Sequence, residues 1–319
     1  MLFNFDKSRM LLIPSLRSAY RKLFYVYAVH ALFLLMLLGS IWLLNGELSI
    51  TKQPSPLQVA YQPAASAVHE AYSPQLRYIT SVDQLLVCAD SMQRRHPAVP
   101  YPSLLSWLLR QRFYHGFSYF GDAHNRLAGL IANYLHTDWH AIVIPNDILQ
   151  YPNAGCSQQS IVFMAALRQR AYRVRKVGFY EPKQGGHYAL EVYYNDAWHY
   201  FDTDFEPDFL LLNQVGRPSI SALVADTSLL QHAYAHRMEA SRIRSLFKTY
   251  QIGEVNATPA PRAYLFQAVT KAITYSGWLV VAVAWWIYGL TRHSKKRMFT
   301  YLHRQVPVAR AIRPLHKVA

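Results

Sequence analysis

The sequence predicts an α+β domain, with helices packed on a short antiparallel sheet, and one transmembrane helix at each end of the chain. Two long apolar segments without charged side chains predict the transmembrane helices. Apolar residues at helical spacing predict helices within residues 81–135 and over 156–167. β-Branched and aromatic residues around an Asn-Asp turn predict strands over 173–180, 187–194 and 197–203.

Each end of the chain contains a segment long enough to cross a bilayer. Residues 23–46 are 24 positions without Asp, Glu, Lys or Arg, and residues 272–291 are 20 more. A helix needs ~20 apolar residues to span the hydrocarbon core. The second segment also carries three tryptophans, which are typical of a membrane interface. We therefore predict transmembrane helices over both segments.

The flanking charges predict the orientation of the two helices. Arg17, Arg21 and Lys22 precede the first helix, and the basic segment 292–319 follows the second. Segments rich in Lys and Arg stay in the cytoplasm. We expect two spans of the cytoplasmic (inner) membrane, both termini inside and residues 47–271 in the periplasmic or extracytoplasmic space. A cleaved signal peptide is the competing interpretation of the first segment, but no small-residue cleavage site follows it closely.

The net charge of +15 is concentrated at the two ends. Residues 1–44 hold five Lys/Arg and one acidic residue, which gives +4, and residues 271–319 hold nine and none, which gives +9. Residues 45–270 hold 19 Lys/Arg and 17 Asp/Glu, which gives only +2. A nearly balanced middle without a basic fold motif predicts no binding of nucleic acid.

Two proline-containing stretches are predicted to link the central domain to the membrane. Residues 47–78 carry four prolines, and residues 256–271 carry two more. The predicted segments, in chain order, are a cytoplasmic N-terminus (1–22), a transmembrane helix (23–46), an extracytoplasmic linker (47–78), a central α+β domain (79–255), a linker (256–271), a transmembrane helix (272–291) and a basic cytoplasmic tail (292–319).

The central domain is predicted to begin with helices. Ser81 with Gln84 three residues later is a capping-box pattern, and the apolar residues that follow repeat at helical spacing. Cys88 falls on this helix. Further helices are expected from near Ser103, over 126–135 and over 219–250.

Cys156 is the candidate nucleophile. It follows Gly155 and the turn signal Pro152-Asn153, at the expected start of a helix. A thiol attacks as its thiolate, and the unpaired N–H groups at a helix start stabilise that negative charge. A base within hydrogen-bond reach and a group that orients the base complete such a site.

A predicted hairpin supplies a base and a carboxylate. A two-residue turn at Asn195-Asp196 pairs Tyr194 with Ala197, and continuing this register pairs Ala189 with Asp202 and His187 with Asp204. Side chains alternate between the faces of a strand, so His187, Asp202 and Asp204 share one face. Either carboxylate can orient the imidazole, and a three-residue turn would shift the register.

These motifs resemble a bacterial transglutaminase-like domain, a family similar to papain in fold. The resemblance covers roughly residues 145–210 and rests on an ordered set of motifs: Gly155-Cys156, Leu167-Arg168, Tyr172-Arg173-Val174-Arg175, Gly186-His187-Tyr188-Ala189-Leu190-Glu191-Val192-Tyr193 and Trp198-His199-Tyr200-Phe201-Asp202.

The resemblance implies a Cys-His-Asp triad. Cys156 is then the nucleophile, His187 the general base and acid, Asp202 the orienting carboxylate, and Trp198 a residue that packs the site. Glu191 is expected to be structural and to pair with Arg175. The oxyanion donor stays open: the candidates are the backbone N–H of Cys156 and the side chains of Gln150, Trp139 and Tyr151. No metal or cofactor is expected.

The expected function is acyl transfer on an amide bond of a protein, peptide or cell-envelope polymer. Hydrolysis of the thioester makes a cysteine protease or amidase, and its capture by an amine makes a cross-linking enzyme. A non-catalytic membrane scaffold, or a component of an envelope assembly with protein partners, is the alternative. A disulfide between Cys88 and Cys156 is the competing interpretation of the two cysteines.

Overall fold

The computed structural model describes residues 8–48, 71–121, 124–135, 139–181 and 185–310. The chain forms two compact units, one of residues 1–45 with 272–319 and one of residues 46–271. Most of the expected linker 47–78 and the end of the basic tail lie outside the described residues.

Two helices are long and apolar enough to cross a membrane. Helix α1 covers Ser8–Leu48 and the last helix, α11, covers Pro261–Arg310. By length and composition their candidate spans are Tyr20–Leu48 and Pro261–Ser294, which contain the expected segments. Within this unit the Trp285 indole N–H donates a hydrogen bond to His30 Nδ1 at 2.8 Å, so the histidine inside the first span has a partner.

The second unit is a mixed α+β domain whose helices begin close to the expected positions. Its first segments are a 3-10 turn, Pro74–Tyr78, then α2, Val82–Arg95, α3, Tyr101–Arg112, α4, Arg126–Leu135, and α5, Pro145–Ile148. Ser81 caps α2 by accepting a hydrogen bond from the Gln84 N–H at 3.2 Å, as the sequence predicts. The second bond of the expected capping box is displaced by one residue, since Gln84 Oε1 accepts from the Thr80 N–H at 2.7 Å.

The remaining helices surround the sheet. Helix α6 covers Cys156–Gln169, and four short helices follow the sheet hairpin: α7, Phe209–Gln214, α8, Ile220–Ala225, α9, Thr227–Tyr234, and α10, Ala240–Leu246. The expected helical region 219–250 is therefore three short helices rather than one. Asp226 ends α8 and caps α9 by accepting from the Leu229 N–H.

The main sheet has four antiparallel strands in the order β5-β4-β3-β6. Its strands are β3, Arg173–Glu181, β4, Gly185–Tyr194, β5, Ala197–Phe201, and β6, Tyr250–Ile252. A separate pair of two-residue strands, β1, Tyr114–His115, and β2, Asn153–Ala154, runs parallel. This small pair places the segment around residue 115 beside the residues that lead into α6.

The hairpin between β4 and β5 has the expected two-residue turn. Asn195 and Asp196 both adopt positive φ, which Asn and Asp tolerate better than most residues. The register Tyr194–Ala197 through Glu191–Tyr200 is confirmed, but pairing ends at Leu190–Phe201. The chain turns away after β5, so the expected strand pairings of Ala189 with Asp202 and of His187 with Asp204 do not form.

Apolar side chains cover both faces of the main sheet. One face packs against α6, on which α2 and α3 pack in turn, and its residues in this core are Val174, Leu190, Val192 and Phe201. The other face packs against the four short helices through Val177, Phe179, Ala189 and Tyr200. Neighbouring strand residues therefore alternate between two buried cores, as the two-residue repeat of a strand requires.

Candidate active site

Cys156 is the first residue of α6 and is 6% exposed. The side chain of Gln158, which is buried, fixes the chain around it. Gln158 Oε1 accepts from the backbone N–H of Gly155 at 3.2 Å and of Ser118 at 2.8 Å, while Nε2 donates to the carbonyls of Ser118 and Ile142. Four bonds from one amide therefore hold the start of α6 against two loops.

The glycine directly before the nucleophile allows the Phe117 ring to lie close to the backbone. A Cβ at Gly155 would lie 3.0 Å from atoms of the Phe117 ring, closer than side chains normally approach. Asn153 in β2 holds the loop that carries this ring by donating to the carbonyls of Gly116 and Phe117. The ring of Phe117, which is 37% exposed, therefore covers the segment next to the thiol.

Arg112 anchors the turn that leads into Cys156. This buried guanidinium at the end of α3 donates to the backbone carbonyls of Ile79, Leu149 and Tyr151. Burial lowers the pKa of Arg112 to about 10, so the group keeps its charge at neutral pH. Hydrogen bonds to three carbonyl oxygens stabilise the buried positive charge, so it needs no carboxylate partner. The sequence reasoning did not identify this residue, because its partners lie about 33 to 39 positions away along the chain.

His187 and Asp202 form a buried imidazole–carboxylate pair. His187 Nε2 lies 2.8 Å from Asp202 Oδ2, and both side chains are at least 95% buried. Tyr234 donates its hydroxyl to the same carboxylate oxygen at 3.0 Å, and the backbone N–H groups of Asp204 and Phe205 donate to Oδ1. Asp202 is thus held in place by four donors.

The electrostatics of the pair favour its charged form. Burial opposes the charge on His187, but the charge of Asp202 and the hydrogen bonds to Asp202 and Cys156 outweigh it, so the pKa of His187 is raised well above its ordinary value. Burial likewise opposes ionisation of Asp202, but the charge and hydrogen bond of His187 lower the pKa of Asp202 below its ordinary value. The imidazole therefore readily holds a proton beside an ionised carboxylate.

The thiol, the imidazole and a second carboxylate converge. One ligand atom each of Cys156, His187 and Asp204 lie within 4.8 Å of one another, and all three residues are buried. Since Nε2 of the imidazole faces Asp202, Nδ1 is the nitrogen left for the thiol proton. The structure thus brings together the three residues expected as the triad and adds Asp204 to them.

Asp204 has its own partners, which the sequence reasoning missed. Its Oδ1 lies 2.7 Å from His115 Nδ1 and accepts from Gln159 Nε2 at 3.1 Å. Arg110 donates to its backbone carbonyl at 2.5 Å. His115 belongs to β1, and Gln159 lies on α6 one turn after Cys156. A polar Gln at that helical spacing was the one available signal for this contact.

Aromatic rings enclose the imidazole. The ring of Phe205 lies 4.3 Å from the His187 ring, centroid to centroid, and that of Phe179 stacks at 5.7 Å. Apolar walls of this kind exclude water and strengthen the electrostatic interactions between the side chains inside.

Three of the expected supporting residues contact one another, since Arg175 pairs with Glu191 and its guanidinium lies 4.0 Å from the centre of the Trp198 ring. Arg175 contacts Glu191 at 2.7 Å, and Glu191 also accepts from the Ile220 N–H at 2.8 Å, so both residues support the sheet and α8. Trp198 pairs with Tyr193, six positions along β4 from His187, which corresponds to roughly 20 Å of extended strand. The structure therefore does not place Trp198 beside the imidazole.

The expected oxyanion side chains have other partners. Gln150 Nε2 donates to the carbonyls of Thr80 and Asn146, which takes both of its amide hydrogens. The Trp139 ring packs against Phe266 at 5.0 Å, and the Tyr151 hydroxyl lies 3.0 Å from His124 Nδ1. Of the expected candidates, the backbone N–H of Cys156 lies directly at the nucleophile, at the start of α6.

Cys88 and Cys156 are both free thiols. Cys88 lies half-buried on α2, where the Tyr78 hydroxyl contacts its sulfur at 3.8 Å. The disulfide considered from the sequence is not formed.

Comparisons with protein-family models, curated proteins and solved structures found no match for the chain.

Proposed function

We propose that the protein is a membrane-anchored thiol enzyme of the transglutaminase-like class, which transfers acyl groups from amides. The observation that carries the proposal is the convergence of the Cys156 thiol and the His187 imidazole, with Asp202 on the far side of the ring. The nucleophile on a helix start, the base at a strand and the carboxylate after the next strand follow the order of the resembled family.

The first half of the reaction forms a thioester. His187 Nδ1 takes the Cys156 proton, and the thiolate attacks the carbonyl carbon of the amide. The carbonyl oxygen gains negative charge, and the backbone N–H of Cys156 donates to it, since the first N–H groups of a helix have no acceptor within the helix. His187 then returns the proton to the leaving amine as the C–N bond breaks.

The second half releases the acyl group. Water or a primary amine gives a proton to His187 Nδ1 and attacks the thioester, and the C–S bond breaks with return of the proton to the thiolate. Water yields a carboxylic acid, and an amine yields a new amide. Asp202 stays ionised throughout and stabilises the imidazolium that forms in each half.

The two candidate spans indicate on which side of the membrane the catalytic unit lies. Two candidate spans flank the catalytic unit in the sequence, and Lys and Arg follow the positive-inside pattern at both outer flanks. We assign both termini to the cytoplasm and residues 47–271 to the extracytoplasmic side. The substrate class that fits this location is a protein, peptide or polymer of the cell envelope.

The proposal is tested in cells that carry the wild-type chain, a deletion or Cys156→Ala, with Cys88→Ala as the matched control. Envelope proteins are compared by mass spectrometry for new chain termini and for new amide cross-links. We expect Cys156→Ala to reproduce the deletion and Cys88→Ala to match wild type. A Cys156→Ala strain that matches wild type, while the deletion differs, would instead identify a scaffold.

A further inference from the structure

Asp204 carries a carboxylate oxygen whose environment the proposed reaction does not explain. Oδ1 is held by His115 and Gln159, but Oδ2 has no hydrogen-bond partner within the part of the chain that the structure describes. The residue is 3% exposed. Buried carboxylate oxygens are normally hydrogen-bonded or bound to a cation, so an orphaned one requires an explanation.

We propose that Cys156, His187 and Asp204 form a binding site for a divalent zinc-type cation that reversibly blocks the nucleophile. Thiolate sulfur, imidazole nitrogen and carboxylate oxygen are the three ligand types of protein zinc sites. Three protein ligands leave the fourth tetrahedral position to a water molecule. The inhibition rests on the proposed function, whereas the binding itself does not.

The distances between the ligand atoms suit a small cation. The three atoms lie within 4.8 Å of one another. Zn–S, Zn–N and Zn–O bonds of about 2.3, 2.0 and 2.1 Å place tetrahedral ligand atoms roughly 3.3–3.7 Å apart. Side-chain adjustments of about 1 Å close the remaining gap, and χ rotations supply them without movement of α6 or the sheet.

The surroundings of His187 orient it for a metal. Its Nε2 faces Asp202, which favours a proton on Nε2, so that Nδ1, the nitrogen on the thiol side, binds the cation once its own proton has been released. Metal-bound histidines commonly donate their other ring N–H to a carboxylate in this way. Gln159 and His115 perform the equivalent task for Asp204, since they hold Oδ1 and leave Oδ2 for the cation.

Charge also favours a divalent ion of this kind. The thiolate and the Asp204 carboxylate together carry two negative charges, which the cation neutralises, while the imidazole is neutral. Binding replaces the proton shared by the thiol and the imidazole, so one proton is released for each cation bound. A soft thiolate selects zinc-like ions over Mg²⁺ and Ca²⁺, which prefer oxygen ligands.

Binding and catalysis exclude each other, because the cation occupies both the sulfur that attacks and the nitrogen that takes its proton. The enzyme would therefore be silent while the metal is bound and would recover when a chelator removes it. This mechanism regulates the enzyme through the metal content of its compartment without any change of fold.

Binding is tested on the purified full-length chain in detergent, with Co²⁺ as the spectroscopic probe and Zn²⁺ as its competitor. We expect a sulfur-to-cobalt charge-transfer band in wild type and in Cys88→Ala, and loss of that band in Cys156→Ala. Asp204→Asn should weaken the affinity for Zn²⁺ roughly tenfold or more, because the amide oxygen carries no charge. A band that persists in Cys156→Ala, or unchanged affinity in a folded Asp204→Asn variant, overturns the proposal.

Inhibition is tested by alkylation with iodoacetamide, read by mass spectrometry at both cysteines. Zn²⁺ should slow the alkylation of Cys156 by about tenfold or more and should leave the alkylation rate of Cys88 unchanged. A chelator should restore the rate at Cys156. If Asp204→Asn does not fold, His187→Ala tests the same ligand set through the cobalt band. If Cys156 is alkylated rapidly and zinc does not change the rate, the metal site is refuted but the thiol enzyme is not. If Cys156 is inert to alkylation but still gives the cobalt band, the thiol enzyme is refuted but the metal site is not.

Discussion

His187 Nε2 lies 2.8 Å from Asp202 Oδ2 in a setting from which water is nearly excluded. The contact joins the start of β4 to the turn after β5, and the hydroxyl of Tyr234 on α9 donates a hydrogen bond to the same carboxylate oxygen. The imidazole therefore has one nitrogen bound and one directed at the thiol of α6.

Replacing Asp202 with Asn removes a charge and preserves the shape of the side chain. The rate of Cys156 alkylation at neutral pH should fall about tenfold or more, because the imidazolium that accompanies the thiolate loses its counter-charge. The rate is measured with iodoacetamide and mass spectrometry, with the rate at Cys88 as the internal reference. Asp208→Asn, a change at the N-cap of α7, is the matched control. Equal rates in the two variants would mean that Asp202 does not support the base.

Removing the ring of Phe117 should open the approach to the thiol. Phe117 covers Gly155, and Cys156 is only 6% exposed. Phe117→Ala should therefore speed alkylation by a bulky maleimide more than alkylation by iodoacetamide. Gly155→Ala, whose new Cβ would meet the ring at 3.0 Å, should slow both reagents or displace the loop. An unchanged ratio of the two rates in Phe117→Ala would show that the ring does not limit access.

Gln158 should be needed for stability as well as for the geometry of the site. Its amide makes four hydrogen bonds to backbone groups of Gly155, Ser118 and Ile142. Gln158→Ala leaves buried backbone donors and acceptors unpaired, so it should lower the free energy of unfolding by about 2–5 kcal/mol. The midpoint Tm, followed by tryptophan fluorescence, should fall clearly, whereas the exposed Gln214→Ala should shift it little. Equal midpoints for both variants would contradict the assigned role.

Asp147 should give the domain an acid-sensitive component of stability. Burial opposes its ionisation, but His124 and Lys271 outweigh this and lower the pKa of Asp147 below its ordinary value. A carboxylate whose folded pKa is depressed stabilises the fold above its unfolded pKa of about 4, and this contribution is lost as the pH falls through the folded pKa.

The measurement is Tm against pH for wild type and Asp147→Asn. The variant should have a lower Tm near neutral pH, and the difference should shrink below about pH 4. Asp196→Asn, in the exposed hairpin turn, is the control. A difference that stays constant down to the lowest pH would mean that the charge of Asp147 contributes nothing to stability.

Reporter fusions test the proposed orientation. A reporter that is active only outside the cytoplasm should be silent at residue 319 and active when inserted at residue 60, within the expected linker. The chain should also stay in the membrane fraction after alkaline carbonate extraction, because two apolar helices anchor it. Activity of the reporter at residue 319 would reverse the assignment made from the basic flanks.

The sequence predicted the elements that depend on local chemistry. The Ser81 cap, the start of α6 at Cys156 and the Asn195-Asp196 turn each follow from a few neighbouring residues, and the turn determines which residues of β4 and β5 pair. Because β5 ends at Phe201, however, the register could not be extended to Asp204. The pairing of β4 with β5 ends where Asp202 Oδ1 accepts hydrogen bonds from the N–H groups of Asp204 and Phe205, and no local sequence pattern predicted this turn.

The rest of the site depends on contacts between distant segments. His115 and Asp204 are 89 positions apart, and they meet only because β1 pairs with β2 beside the start of α6. Similarly, Gln150 was weighed as an oxyanion donor from its spacing to the thiol, but its amide binds Thr80, 70 positions away. Tertiary contacts of this kind leave no trace in the spacing of motifs.

The central claim is that His187 activates Cys156, and competitive alkylation of the two cysteines in one molecule tests it most directly. By exposure alone the half-buried Cys88 should react faster than Cys156, which is 6% exposed. Near neutral pH we predict the opposite order in wild type, with the preference lost in His187→Ala. Faster reaction of Cys88 in wild type, or an unchanged preference for Cys156 in His187→Ala, would contradict the account.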